Sequence, residues 1–260
     1  MAIFDTHYKN IIQIAMNAGQ IIRDIKHKQT LDVQIKSDSS PVTLADFASH
    51  SYITNALQNA YSDISVISEE TDTLTTPISD SFFLVDPLDG TRDFIDGTND
   101  YCVNIALIKD QRPVLGVIYI PETHQCYYAL EDQGSFKIPN CDILDVRTRL
   151  HVKPETADKT QTISKRSNPQ SYTYFDFIPN ITHTIRAGSA IKFCQIAEGV
   201  ADIYPRPGNT GEWDTAAGEL IVVEAGGIVR DKNHKPIIYG KEKKNYLNDA
   251  FYAANCILSA

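Results

Sequence analysis

In the segment FFLVDPLDGTRDF an apolar run, Phe82 to Val85, leads into Asp86 and Asp89, with Pro87 and Gly90 supplying turn chemistry around them. On this reading both carboxylates sit on a tight turn at a strand end. Two carboxylates that close repel by roughly 1–4 kcal/mol at 4 Å, according to the local dielectric, unless a proton or cation intervenes. All-oxygen donors of this kind select a hard cation, magnesium or calcium. Two further segments place acids at element ends. VISEE closes a short apolar run with Glu69 and Glu70, and GEWDTAAG puts Asp214 at the start of a helix. These three sites can converge on one ion or two.

Each member also has an ordinary structural use. Asp-Pro and Asp-Gly are common turn pairs, Glu69 and Glu70 suit a solvated surface, and Asp214 suits a helix cap. TLAD, Thr43 to Asp46, has capping-box spacing, so Asp46 has a local role available to it. The residues alone leave these alternatives open.

The elements that must position the acids can be read from periodicity. Apolar residues from Ile11 through Ile25 recur at helical spacing, which predicts a long helix from Phe4 to about Lys28. KSDSSPV, Lys36 to Val42, reads as a polar loop, and Thr43 then opens a second helix reaching about Ala60. Strands are expected at Ser65–Ser68, Phe82–Val85, Val103–Ile108 and Val114–Ile120, forming a mostly antiparallel sheet. After Arg149 strands and helices alternate, with helices over Ser189–Glu198 and Asp214–Ala225, each stopped by glycine. The chain therefore divides into an α+β lobe, residues 1–149, and an α/β lobe, residues 150–260. The tail after Lys241 carries no recognisable chemistry.

Composition sets outer limits. With 42% hydrophobic and 22% charged residues, the 260-residue chain has the make-up of an ordinary globular protein, neither disordered nor fibrous. A net charge of −9 disfavours broad contact with a nucleic-acid backbone, though metal ions still let such a protein bind phosphate. Five scattered cysteines without a CxxC pair fit a reducing compartment. No window approaches the roughly 20 apolar residues of a membrane span, and MAIFDTHYKN lacks the plan of a secretory signal. A cytoplasmic protein is expected, with contact to the inner membrane face left open.

SPVTLAD at Ser40–Asp46, ISEE at Ile67–Glu70, DPLDGT at Asp86–Thr91, LGVIYIP at Leu115–Pro121 and WDTAAG at Trp213–Gly218 occur together in the order characteristic of the inositol monophosphatase superfamily, which the chain resembles. The likeness runs from about residue 36 to 227. Within the superfamily, GSAIKFCQIAEGVADIYPR resembles the bacterial-type 3'(2'),5'-bisphosphate nucleotidases, which act on 3'-phosphoadenosine 5'-phosphate in sulfur assimilation. Two segments depart from that pattern: GTNDYC before VNIAL, and SKRSN at Ser164–Asn168.

The resemblance implies a layered αβαβα sandwich, of α+β and α/β character, with the site between the two lobes. It implies that Glu69, Asp86 and the Leu88 carbonyl hold one magnesium, and that Asp86, Asp89 and Asp214 hold a second. Asp46 and Thr91 would orient the attacking water, with Glu70 assisting through a third ion. Gly90 and Thr91 would offer N–H groups to the phosphate; Gly188, Ser189, Lys192 and Arg206 would contact the nucleotide; Lys36 would close over the site. Lithium sensitivity and a monomer or homodimer are implied in the same way. The rivals are an inositol or sugar monophosphatase with the same metal site, and a catalytically silent metal- or nucleotide-binding protein.

Overall fold

The computed structural model describes residues 4–28, 33–35, 41–71, 80–178 and 180–256. Lys36, expected to close over the site, lies outside the described residues.

Helix α1 (Phe4–His27) carries the expected stripe, with Ile11, Ile14, Ala15, Ala18 and Ile22 buried. It packs along α2 (Leu44–Ala60), which follows a hairpin of β1 (Val33–Ile35) and β2 (Pro41–Thr43). The α2 capping box is formed: the Thr43 hydroxyl accepts from the Ala45 N–H, and Asp46 accepts from the Thr43 N–H.

These two helices cover one face of a seven-stranded sheet. Its strands, in spatial order, are β3 (Ser65–Ser68), β4 (Ser81–Asp89), β5 (Cys102–Lys109), β6 (Arg112–Ile120), β7 (Gln125–Leu130), β8 (Gly134–Ile138) and β9 (Thr148–Arg149). β3 and β4 pair in parallel, while the remaining ladders are antiparallel. A short helix, α3 (Thr91–Ile95), leaves the end of β4.

The second half contributes β10 (Lys159–Ile163), β11 (Ile181–Arg186), α4 (Ile191–Ala197), β12 (Ile203–Arg206), β13 (Thr210–Gly211), α5 (Ala216–Glu224), β14 (Ile228–Asp231), β15 (Leu247–Asn248) and β16 (Phe251–Ala254). Five of these strands form a mixed sheet in the order β11-β10-β12-β16-β14, and β13 pairs separately with β15. Helices α4 and α5 lie between the two sheets. Phe193 and Ile221 join Leu84, Ala106 and Ile118 of the first sheet, and Tyr204 and Phe251 of the second, in one continuous core. The close approach of α5 to the first sheet depends on Gly116, where an added Cβ would stand 2.7 Å from the Ala217 carbonyl oxygen. A 3₁₀ turn, Pro169–Tyr174, lies over the outer side of the second sheet beside Phe175, Ile178 and Tyr252. The result is the αβαβα sandwich, with a 3₁₀ turn as its outermost layer.

Two sequence expectations need correction, and one unassigned stretch gains a role. Asp86 and Asp89 do not flank a tight turn, because β4 runs on through both of them. Helices α4 and α5 begin two residues later than expected, at Ile191 and Ala216. The tail beyond Lys241 is structural, since it supplies β16, which lies between β12 and β14 with all four residues buried.

Candidate active site

Residues three apart on a regular strand point to opposite faces. Asp86 and Asp89 escape that rule through a bulge. Asp86 pairs with Asn104 and Asp89 with Cys102, so β4 uses one residue more than β5 over the same stretch. Pro87, which has no N–H to give a ladder, sits in the bulge. The freed Leu88 N–H donates to Asp86 Oδ1 at 3.0 Å, and the Pro87 carbonyl accepts from Ser49 at 2.7 Å. Parallel pairing of β3 with β4 continues through the Glu69 N–H to the Val85 carbonyl, which brings Glu69 alongside Asp86. The core between the sheets delivers Asp214, just before α5. One carboxylate oxygen each from Glu69, Asp86 and Asp214 then lies within 4.8 Å of the others.

These side chains are pinned from the protein side. Asp214 Oδ2 accepts from the Thr210 hydroxyl at 2.6 Å and the Gly211 N–H at 3.0 Å. Asp89 Oδ2 accepts from the Ala190 N–H at 2.6 Å and the Asn104 amide at 3.1 Å, with the Cys102 thiol 3.7 Å away. Both contacts fall on one oxygen, which leaves the other for a ligand. Asp89 stands outside the close trio but feels the Asp214 charge.

The electrostatics of the acids point to a cation as their partner. Asp86 is 1% exposed, and burial, then the charges of Glu69, Asp89 and Asp214, drive its carboxyl well above the ordinary range. Asp89 is pushed up to about 6 by burial and by Asp214, against the opposing pull of Lys192, Asn104 and the Ala190 N–H. A buried set of carboxylate oxygens in which like charges outweigh the available cation is what a divalent oxygen-seeking ion compensates. The all-oxygen donor set fits a hard divalent cation.

Beside the acids, Thr91 Oγ1 donates to Asp46 Oδ1 at 2.9 Å and stands 3.2 Å from the Leu88 carbonyl. Asp46 Oδ2 is taken by both donors of Thr43, so Asp46 closes the α2 box and holds Thr91 at once. Gly90 turns the chain into α3 at φ +95°, where an added Cβ would stand 2.9 Å from the Asp100 carbonyl. Glu70 follows Glu69 in the turn after β3, partly buried.

A pocket of about 140 Å³ opens next to Asp89 and Asp214, walled by Ser164, Ser189, Lys192, Tyr204 and Arg206. Lys192 is 4% exposed, donates to the Ser189 and Ala187 carbonyls, and lies 5.1 Å from the Tyr204 ring centroid. Burial lowers its pKa to about 8, with Asp89 pulling the other way. Arg206 donates to the Asn209 carbonyl at 3.3 Å and keeps its Nε buried without a hydrogen-bond partner. Gly188 differs from expectation, because its N–H is committed to Asp100 at 3.0 Å. Ser189 lines the pocket ahead of α4 with φ +48°.

Sequence reasoning missed Asn104, although a lone amide inside the apolar run VNIALI is a usable signal: a buried amide needs a polar partner. Replacing it with alanine removes a donor from Asp89 and should weaken metal binding about tenfold, as loss of a hydrogen bond behind a metal ligand does. Titration calorimetry with magnesium checks this, and unchanged affinity would remove Asn104 from the site.

A sequence model of the inositol monophosphatase family matches residues 5–257. The chain belongs to that family. It is 37% identical over 247 residues to the 3'(2'),5'-bisphosphate nucleotidase CysQ of Salmonella typhimurium, covering 94% of this chain and 97% of that protein. It is 33% identical over 258 residues to the protein of the same name from Aggregatibacter actinomycetemcomitans, covering 96% and 94%. The crystal structure of CysQ from Bacteroides thetaiotaomicron, described as a bacterial member of the inositol monophosphatase family, superposes with a TM-score of 0.82 at 32% identity, covering 98% of this chain and 99% of that one. The family is metal-dependent, and the cluster of Glu69, Asp86 and Asp214 is a candidate metal site. Among the described residues, no helix is long and apolar enough to cross a membrane.

Proposed function

We propose that this family member is a magnesium-dependent phosphomonoesterase that removes the 3'-phosphate of 3'-phosphoadenosine 5'-phosphate, giving AMP and phosphate. The observation that carries the substrate assignment is the buried Lys192, facing with Arg206 a pocket that adjoins the acid cluster. A buried lysine and an arginine beside metal-held phosphate suit a ligand with a second anionic group. The names borne by the relatives from Salmonella and Aggregatibacter point to the same substrate class.

Glu69, Asp86 and the Leu88 carbonyl would hold one magnesium; Asp86, Asp89 and Asp214 would hold a second, with Glu70 placed to serve a third. When bound, such ions lower the pKa of water and neutralise charge on the phosphate and the leaving oxygen. The protein's own part begins with Thr91. Because its proton is directed at Asp46, its oxygen lone pairs are free to accept a hydrogen bond from the water that attacks phosphorus, and as that water loses its proton to the hydroxyl the hydroxyl passes its own to the Asp46 carboxylate. The Gly90 and Thr91 N–H groups, at the start of α3, would offer hydrogen bonds to the phosphate oxygens, and Ser189, which lines the pocket, would border the nucleotide.

The test compares kcat/KM for 3'-phosphoadenosine 5'-phosphate and inositol 1-phosphate in the wild type and in Lys192→Met. The nucleotide is expected to be preferred, with kcat/KM for it falling about ten- to a hundredfold in the variant, the cost of a lost charged hydrogen bond. Preference for inositol 1-phosphate overturns the substrate. No release from either overturns the enzyme.

A further inference from the structure

We propose that Lys165 and Arg166 are positioning residues that clasp the two halves of the protein together beside the substrate pocket and thereby hold the segment Gly188–Ala190, whose Ser189 and Ala190 wall that pocket, in place. The substrate-facing part of this inference rests on the nucleotidase reading.

One pair of the clasp, Lys165 with Asp100, joins the two segments that depart from the nucleotidase pattern, SKRSN and GTNDYC; Arg166 reaches the residues just before the second. Lys165 Nζ lies 2.8 Å from Asp100 Oδ2, and Arg166 reaches both Asp93 at 3.2 Å and Asp96. Asp93, Asp96 and Asp100 belong to the stretch between β4 and β5, while Lys165 and Arg166 follow β10, so every pair crosses from one half to the other. Arg186 fixes the shape of the basic loop by donating to the carbonyls of Ser164, Lys165 and Ser167 at 2.9, 2.9 and 3.1 Å. Ser164, at the start of that loop, walls the pocket.

The acids do a second job. Asp100 Oδ2, the atom that meets Lys165, also accepts the Gly188 N–H at 3.0 Å. Gly188 is wedged against the same acids: an added Cβ would stand 2.4 Å from the Asp100 carbonyl and 2.8 Å from Asp93 Oδ2. Two residues on, the Ala190 N–H is held by Asp89. Ser189, between these two anchors, is kept in the left-handed region that a side chain rarely adopts. Without its cations, a strip of three acids beside Asp89 repels itself, and Asp100 has less reason to stay on Gly188.

Exposed ion pairs are individually weak, so the effect is modest and must be read differentially. In Lys165→Ala/Arg166→Ala, KM for 3'-phosphoadenosine 5'-phosphate is expected to rise about fivefold, with kcat changed by less than about twofold. Amide hydrogen exchange across Gly188–Ala190, followed by mass spectrometry without substrate, is expected to quicken in the same variant. The conservative variant Lys165→Arg/Arg166→Lys, which keeps both positive charges and leaves Asp100 in place to accept the Gly188 N–H, is expected to exchange nearly as slowly as the wild type. Unchanged exchange in the double alanine variant, or exchange in the conservative variant as fast as in the double alanine variant, overturns the clasp. Quickened exchange with unchanged KM overturns its role toward substrate. Because exchange is read without turnover, a wild type inactive on the nucleotide refutes the functional reading while leaving the clasp to stand or fall separately.

Discussion

Asp86→Asn is expected to abolish turnover and, in the same protein freed of metal, to raise the melting temperature. The carboxylate is 1% exposed, within reach of Glu69 and Asp214 and subject to the Asp89 charge. Asparagine keeps the shape and can still accept the Leu88 N–H through its amide oxygen, while removing one buried negative charge. The relief comes from the burial and the like charges of Glu69, Asp89 and Asp214 that drive the carboxyl upward, both of which a neutral amide escapes. On the proposed assignment the same change takes an anionic ligand from between the two ions. If metal binding supplies several kcal/mol of transition-state stabilisation, kcat falls by roughly 10³-fold or more. Phosphate release and calorimetric melting in EDTA read the two halves. A variant that melts lower and still turns over would show Asp86 to be a structural acid.

The second large effect is on stability as pH and magnesium change together. Burial and neighbouring charge raise Asp86 far above, and Asp89 to about 6 from, the ordinary aspartate value of 3.8. A carboxyl raised in the folded state holds more protons there than in the unfolded state between the two values, so stability falls as pH rises through that window. For Asp89 the window runs from about 4 to about 6, and the loss is on the order of a few kcal/mol; Asp86 extends it upward. Magnesium binding displaces those protons and stabilises the folded form by mass action. The melting shift produced by a fixed magnesium concentration should therefore grow from pH 5 to pH 7.5. A shift independent of pH would place the ion elsewhere.

Local signals in the sequence were legible where local physics decided the outcome. The helical stripe of α1, the Thr43–Asp46 box and the strand Ser65–Ser68 follow from side chains within a few residues of one another. The end of β4 did not, because Pro87 and Gly90 signal a turn, whereas pairing with β5 turns the same residues into a bulge. Asp214 looked like a helix cap, but its carboxylate folds back onto Thr210 and Gly211 and α5 starts after it. The strand Phe251–Ala254 is too short to show a period, and both its neighbours are far away in sequence. Lys192 has the spacing of an ordinary helix-face lysine; only packing against Tyr204 reveals that it is buried. Glu69, Asp86 and Asp214, which cluster, stand out in the sequence as acids at element ends, while Asn104 and the Ala190 N–H, which hold Asp89, reach it from 15 and 101 residues away; Thr210 holds Asp214 from only four residues away, without a sequence signal that marks it.

The most direct test of a metal-centred phosphatase is anomalous diffraction from crystals of the protein grown with AMP and manganese in place of magnesium. The account predicts two peaks about 3.5–4 Å apart, one bounded by Glu69, Asp86 and the Leu88 carbonyl, the other by Asp86, Asp89 and Asp214. Manganese absent from the acid cluster in crystals of active enzyme would contradict it.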